Sequence, residues 1–565
     1  MTTNGHRKLL QQLRADGIMY MFGNPGSSEE GLLDEVSRFP DVRYVLGLQE
    51  AAILGIADGY AQATGKAAVV QLHSSVGLGN GIGSLYHAHQ RHSPLVVIAG
   101  EAGISYDAMD AHMAVDLVAM ARPVTKYAAR VIDPRSLLRL IRRCIKVAMT
   151  PPRGPVFLAV PQDMLDAVND EAVVPTVFPS TRVAPEPALI AAAAAMLRSA
   201  QSPVILMGDG VSHAQAGDEL VMLAEALGAG VWGVMASELI MPWDHPLYRG
   251  LTGHMFGEDS ARIVENADAV VVCGTEIFPE VFPLLHSPFR TDAKIIQIDL
   301  DPLEIAKNHP VTLGFMADPK LTLRLLAEAI VDTRTPDEAA AAAARSEAIA
   351  AEKAHATREA RDADAARQNA VPLFMSAFAT VLARHLPDDA IVFDESLTHF
   401  PELTRWLPPR LAGHFFQTPG GTLGVGIPGA VGAKLARPEC TVVGLTGDGG
   451  AMYTFQALWT AAHYRIGAKF VVCNNRSYRL LKFNLLSYWA DLGLSPSQFP
   501  NSFPPPFDIG DPDLDFVGLA RALGVPGYRV AQPSDIEPAI TAMLADDGPF
   551  LIDLVIESDV PRPQA

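Results

Sequence analysis

Residues 441–475 read TVVGLTGDGGAMYTFQALWTAAHYRIGAKFVVCNN. The run TVVGLT is apolar and β-branched, as a strand buried on both faces should be, and it leads straight into Gly447, Asp448 and Gly449. KFVVC repeats the pattern and leads into Asn474 and Asn475. Two such strands separated by a helical pattern form a parallel pair, which brings both strand ends to the same sheet edge. A carboxylate and a side-chain amide at that edge are hard oxygen ligands suited to Mg²⁺, which takes few protein groups and completes its octahedron with phosphate oxygens and water. Gly447, Gly449 and Gly450 let backbone amides approach a diphosphate, and a helix expected to begin near Thr454 offers it a positive end. Gly208, Asp209 and Gly210 form a second GDG, but no Asn pair follows at the same interval, so that copy reads as a turn.

The strand rhythm extends outward in both directions. AAVVQL, LVVIAG and VFLAV mark a first α/β region, and VILMGDG, AVVVC and KIIQIDLDP mark a second. AIVFDES and FLIDLVI complete the third around the opening motif. The expected fold is three doubly wound parallel-sheet domains: 1–175, 186–335 and 371–557. Residues 336–370, almost pure Ala, Glu, Arg and Asp, read as an exposed connecting helix. With 49% hydrophobic and 19% charged residues the chain is ordinarily globular, and a net charge of −19 argues against nucleic acid or an anionic membrane surface as partner. The N-terminal residues lack a signal-peptide pattern, and no apolar run spans a bilayer, so a cytoplasmic enzyme is expected. The four cysteines lie far apart and read as buried free thiols.

A GDG followed at this interval by NN is similar to the signature of thiamine diphosphate enzymes. FGNPGSSEE, LGLQEAAILGIADGYAQATG, LHSSVGLGNGIG, HSPLVVIAG, HPLYRGL, GTLGVGIP and GDGGAMYTFQALWTAAHYRI resemble the thiamine diphosphate-dependent 2-oxo acid decarboxylases, nearest to those acting on benzoylformate, over nearly the whole chain. The resemblance implies a pyrimidine-binding domain, a middle domain and a diphosphate-binding domain, with thiamine diphosphate and Mg²⁺ as cofactors. It also implies cofactors shared between subunits, so a homodimer is the minimum and a homotetramer the expected assembly. Thiamine chemistry needs a carboxylate at N1′ of the aminopyrimidine, and Glu50, between VRYVLGLQ and a helical pattern, is the candidate. Carried over from the family, Asp448, Asn475 and the Ser477 carbonyl hold the metal. Leu423 is the apolar wedge beneath the cofactor, the Gly421 carbonyl accepts from its 4′-amino group, and Thr398 and Tyr478 hold the diphosphate. Where the family has two hydroxyl residues this chain has Leu397 and Thr398, so the resemblance leaves one phosphate contact unsupported.

Ser27 and His73 match positions that meet the substrate carboxylate and move protons in the family; their structural alternatives are a helix cap and a hydrogen-bonded residue at a strand end. A second catalytic histidine would fall at Val281, and His286 is offset from it by five positions, so His112 in MDAHMA is the better substitute. Leu480 and Asn484 match positions that shape the acyl pocket in the family, Asn484 standing where an aromatic residue is usual there. Proline-rich residues 495–513 read as a flap over the entrance or as a plain surface loop. The expected reaction is attack on a 2-oxo acid, loss of CO₂, protonation and release of an aldehyde. Interception by a second aldehyde would make the enzyme a carboligase, and acetohydroxyacid synthase and 2-hydroxyacyl-CoA lyase chemistry are further alternatives on similar scaffolds. An NAD-dependent dehydrogenase is disfavoured: Gly77, Gly79, Gly81 and Gly83 follow a strand, but the last glycine of G-x-G-x-x-G falls on Ile82.

Overall fold

Strands β1 (Tyr20–Gly23), β2 (Arg43–Leu46), β3 (Ala68–His73), β4 (Leu95–Glu101), β5 (Tyr127–Arg130) and β6 (Val156–Pro161) form the first sheet, in the order β2-β1-β3-β4-β6-β5. Every pairing in it is parallel. The structure is a computed structural model describing residues 3–419 and 421–561. The second sheet comprises β7 (Pro203–Met207), β8 (Gly230–Gly233), β9 (Tyr248–Leu251), β10 (Ala269–Cys273), β11 (Lys294–Asp299) and β12 (Leu313–Met316), ordered β12-β11-β10-β7-β8-β9. Further along come β13 (Ile391–Glu395), β14 (Phe415–Gln417), β15 (Val442–Gly447), β16 (Lys469–Asn474), β17 (Gly527–Val530) and β18 (Phe550–Val555), of which five run β13-β15-β16-β18-β17 in parallel. The three parallel sheets expected from the strand rhythm are therefore present. Strands β4, β10 and β16 are buried nearly throughout instead of alternating, because helices cover both faces of each sheet.

The chain divides into two compact units: Met1–Phe178, Asn369–Pro401 and Gly421–Ala565 form one, Pro179–Gln368 and Glu402–Gly420 the other. In the first, helices Glu50–Thr64 and Gly426–Ala436 cross at backbone contact. A Cβ at Gly59 would run into the Gly429 carbonyl, one at Gly432 into that of Ile56, and one at Gly55 would lie 2.7 Å from Pro428 Cγ. The crossing also buries Arg91, whose guanidinium lies 3.4 Å from Asp58 and 4.8 Å from the centre of the Phe393 ring.

Residues 336–370 carry the exposed helix expected of them, Pro336–Ala365, and it is tied down at points: Lys353 donates to the Trp243 and His245 carbonyls, and buried Asp364 accepts from Arg405 and from Trp406 at 2.8 Å. Charged tethers thus replace the apolar contacts its composition lacks. The second GDG is no plain turn, since Asp209 opens the helix Asp209–His213 and its buried carboxylate accepts from the Ser237 amide and hydroxyl. The helix after β15 starts at Asp448 and ends at Thr454, so the aspartate lies in its first turn. All four cysteines are buried free thiols, and no helix among the described residues is long and apolar enough to cross a membrane.

Candidate active site

Glu50 is the first residue of its helix, which Gln49 caps by accepting from the Ala52 amide at 3.0 Å. Its side chain is only 7% exposed, and its two oxygens accept from Asn24 and from Asn80, each at 3.1 Å. Two amide donors on separate elements fix the carboxylate's direction. Neither asparagine was identified from sequence, because their partner lies 26 and 30 positions away.

His73 ends β3, and its Nδ1 lies 3.0 Å from Glu29 Oε2 and 3.2 Å from the Ser28 hydroxyl. Glu29 is 2% exposed; it also accepts from the Gly26 amide at 3.1 Å and the Ser28 hydroxyl at 2.7 Å. Two missing side chains make room for this arrangement, since a Cβ at Gly26 would strike the His73 ring and one at Gly100 the Glu29 carboxylate. With Nδ1 engaged by Glu29, Nε2 is the ring nitrogen left for chemistry. Ser27, His73 and His112, three of the residues picked from sequence, line one cavity of about 230 Å³ together with Glu101, Tyr106 and Gln162. Ser27 does not cap a helix through its side chain; it begins a 3₁₀ turn, Ser27–Glu29.

His112 is carried on an exposed loop, residues 103–116, tethered at three points. The Asp163 carboxylate accepts from the Ile104 and Ser105 amides at 3.1 and 3.2 Å. Arg130 grips Asp107 through two bonds of 2.8 Å and also reaches Glu101 at 2.6 Å. The Met113 carbonyl accepts from the Ser75 hydroxyl at 2.9 Å. Burial pushes the Glu101 carboxyl up, against the pull of Arg130.

At the carboxyl ends of β15 and β16, Asp448 and Asn475 are both buried. Asp448 accepts from the Gly449 amide at 2.7 Å and from the Arg476 amide, and burial pushes its pKa up to about 6 against these bonds. Asn475 Oδ1 accepts from the Ser477 amide at 3.0 Å, while its amide nitrogen lies 3.2 Å from His399 Nε2. Burial, and then the charge of Arg479, push His399 down to about 3, so the ring is neutral and can accept that amide proton. His399 thereby fixes which way Asn475 points. Beside Gly447 a Cβ would meet nothing within 4 Å, whereas one at Gly449 would lie 2.5 Å from the Tyr478 ring, and one at Gly450 3.1 Å from the Thr446 hydroxyl. Open space next to an oxygen donor set, roofed by Tyr478, fits a diphosphate held through a cation. Among the described residues no three His, Cys, Asp or Glu side chains gather into a metal cluster. The donors available are one carboxylate, one amide and the Ser477 carbonyl, which leaves room for phosphate oxygens.

The residues directly after Leu423 are fixed by Glu395, at the end of β13. Its buried carboxylate accepts from the amides of Gly424 (2.6 Å), Val425 (2.9 Å) and Gly426 (2.8 Å) and from the Thr446 hydroxyl (3.0 Å). Gly421 and Gly424 have φ of 106° and 84°, a region that favours glycine, so the loop takes a path closed to other residues there. Thr398 accepts from Arg479 Nη1 at 3.4 Å. Leu480 and Asn484 are half-buried on the helix Arg479–Asp491. Residues 495–513 are pinned at several places: Phe499 and Phe503 pack on Trp489 with ring centres 5.4 and 6.0 Å apart, the Tyr478 amide donates to the Phe507 carbonyl at 2.9 Å, and Arg476 donates to Asp513. Val281 and His286 belong to the other unit, where both are exposed.

Comparison with known proteins identifies the family. Residues 3–120 match the N-terminal TPP binding domain of thiamine pyrophosphate enzymes, residues 190–326 their central domain, and residues 402–554 their C-terminal TPP binding domain. A benzoylformate decarboxylase of Pseudomonas aeruginosa is 32% identical over 563 residues, covering 98% of this chain and 99% of that protein. A probable acetolactate synthase large subunit of Methanococcus aeolicus is 26% identical, covering 98% and 92%. Among solved structures, the thiamine diphosphate-dependent 4-hydroxybenzoylformate decarboxylase of Rhodococcus jostii RHA1 superposes with a TM-score of 0.84 at 29% identity, over 99% of this chain and 100% of that one. The chain belongs to the thiamine pyrophosphate enzyme family and is a thiamine diphosphate-dependent lyase.

Proposed function

We propose that the enzyme removes CO₂ from a 2-oxo acid and releases the aldehyde, with Mg²⁺ held by Asp448, Asn475 and the Ser477 carbonyl. The observation carrying this reading is the cavity in which Ser27, His73 and His112 meet, backed by the Glu29 carboxylate. When bound, thiamine diphosphate supplies a carbon nucleophile and a sink for the electron pair left behind as CO₂ departs. Glu50, aimed by two amides, exchanges a proton with the pyrimidine N1′. Ser27 donates a hydrogen bond to the substrate carboxylate. His73 delivers a proton from Nε2 to the carbon that has lost CO₂, and His112 is the second group placed to move one. Thr398 and Tyr478 hold the diphosphate, Leu423 supports the cofactor from below, and Leu480 and Asn484 bound the acyl group.

The active unit in this reading is a homodimer, with the pyrimidine end held by one protomer and the diphosphate end by its partner. The helix Ser74–Gln90 supports this: Val76, Gly79, Gly83 and Tyr86 are all exposed along one side, and Val76 is 55% exposed. A stripe of small and apolar residues at helical spacing suits a second copy better than water.

The test is CO₂ release from a panel of aromatic, branched and short 2-oxo acids with Mg²⁺ and thiamine diphosphate, comparing wild type with Glu50→Gln. Release that falls by about 100-fold or more in the variant is expected for loss of a group that moves protons. No release from any acid, with the cofactor bound, would instead favour a lyase acting on acyl-CoA or aldehyde substrates.

A further inference from the structure

Where the family pattern places two hydroxyl residues at the diphosphate, this chain has Leu397 and Thr398. The chain as a whole carries a net charge of −19, so a trianionic diphosphate needs a locally arranged site, and a side-chain cation there would strengthen it. Arg476 sits beside the metal-binding loop but is engaged by Asp513 through two bonds of 3.0 and 3.1 Å. Arg479 is placed differently. It is the first residue of the helix Arg479–Asp491, directly after Tyr478, and its Nη1 lies 3.4 Å from the Thr398 hydroxyl. Its Nε and Nη2 both donate to the Asp559 carbonyl, at 3.2 and 3.0 Å, and its guanidinium lies 5.3 Å from the centre of the Phe483 ring. The carbonyl holds one edge of the planar fork and Phe483 limits its motion, so the Nη1 end is aimed toward Thr398.

We infer that Arg479 binds the diphosphate of the cofactor alongside Thr398, supplying in charge the contact that Leu397 cannot make. The inference rests on the assignment of Thr398 to the diphosphate. A guanidinium already oriented by a carbonyl loses little freedom on meeting a phosphate oxygen, and a charge-assisted bond to phosphate is stronger than the hydroxyl contact it replaces.

The experiment measures three dissociation constants in the presence of Mg²⁺, by fluorescence quenching or calorimetry, on the full-length apoprotein: thiamine diphosphate, inorganic pyrophosphate and unphosphorylated thiamine. Wild type, Arg479→Gln and Arg479→Lys are compared, with circular dichroism to confirm that each is folded. Arg479→Gln should weaken thiamine diphosphate and pyrophosphate alike, by about tenfold or more, and leave thiamine within about threefold, as removal of a charge-assisted phosphate contact requires. Arg479→Lys should recover part of the loss. If the glutamine variant weakens thiamine as much as pyrophosphate, or leaves pyrophosphate unchanged, Arg479 only fastens the C-terminal residues and the inference is wrong. If wild type binds neither thiamine diphosphate nor pyrophosphate, the assignment of Thr398 fails, and the inference with it.

Discussion

Glu29 shows what one buried carboxylate does for its neighbours. It gathers a ring nitrogen, a hydroxyl and a backbone amide, and so decides which face of His73 looks into the cavity. Glu29→Gln keeps the size but removes the charge and one acceptor, and should lower kcat by about tenfold, short of the 100- to 10,000-fold at stake when the proton-moving group itself is lost. Gly26→Ala should do comparable damage for a steric reason, since its methyl group occupies the space of the imidazole. Steady-state CO₂ release by the two variants checks both, and unchanged kcat in both would remove Glu29 from the proposed mechanism. Asp448 and Asn475 could be singled out in the sequence because they end two apolar runs at a recognisable interval, and Glu50 because it stands between a strand pattern and a helical one. Glu29, Asn24, Asn80, His399 and Glu395 were not, because each acts on a residue from a distant part of the chain, and no local pattern marks a pair that only folding brings together.

At the level of elements, the crossing of helices Glu50–Thr64 and Gly426–Ala436 sets how the first and third α/β regions meet. The sequence displayed its glycines openly, but nothing in their spacing told that Gly59 and Gly432 each face a carbonyl of the opposite helix. Gly59→Ala should separate the helices and cost about 1–3 kcal/mol, the usual range for overpacking a tight contact. A urea melt reads this directly, and an unshifted midpoint would mean that the crossing relaxes freely. Strand positions were readable throughout, because runs buried on both faces are apolar without alternation. The start of the helix at Asp448 was misjudged because the glycines around it resemble a loop. The anchoring of residues 495–513 was invisible for another reason: it depends on Phe499 and Phe503 meeting Trp489 and on a backbone pairing to Tyr478.

For the whole molecule, the proposed sharing of cofactor between protomers ties assembly to activity. Tyr86, 44% exposed, lies near the Gly421 loop, where a Cβ on Gly421 would come within 3.2 Å of its ring. Val76→Lys, two turns or more from that loop on the same exposed face, introduces a charge into the proposed dimer contact without touching the cavity. Light scattering should show it shifted from dimer toward monomer, with cofactor affinity and turnover falling together as protein is diluted. A variant that stays dimeric at full activity would place the interface elsewhere. The three-sheet architecture was legible from strand rhythm, whereas the grouping of the first and third regions into one compact unit was not, because chain order alone carries no information on which regions pack together.

The loop bearing His112 is fastened by Asp163, Arg130 and Ser75, while Tyr106 and Met109 between those fastenings and Val115 just beyond them remain exposed. Substitutions at exposed positions of this kind change stability little. The cavity wall on that side is thus free to drift in sequence while Glu50, Asp448 and Asn475 stay fixed at strand and helix ends. A laboratory seeking a new substrate range, or a lineage acquiring one, has in this loop a region where sequence change alters recognition and leaves the cofactor's grip intact.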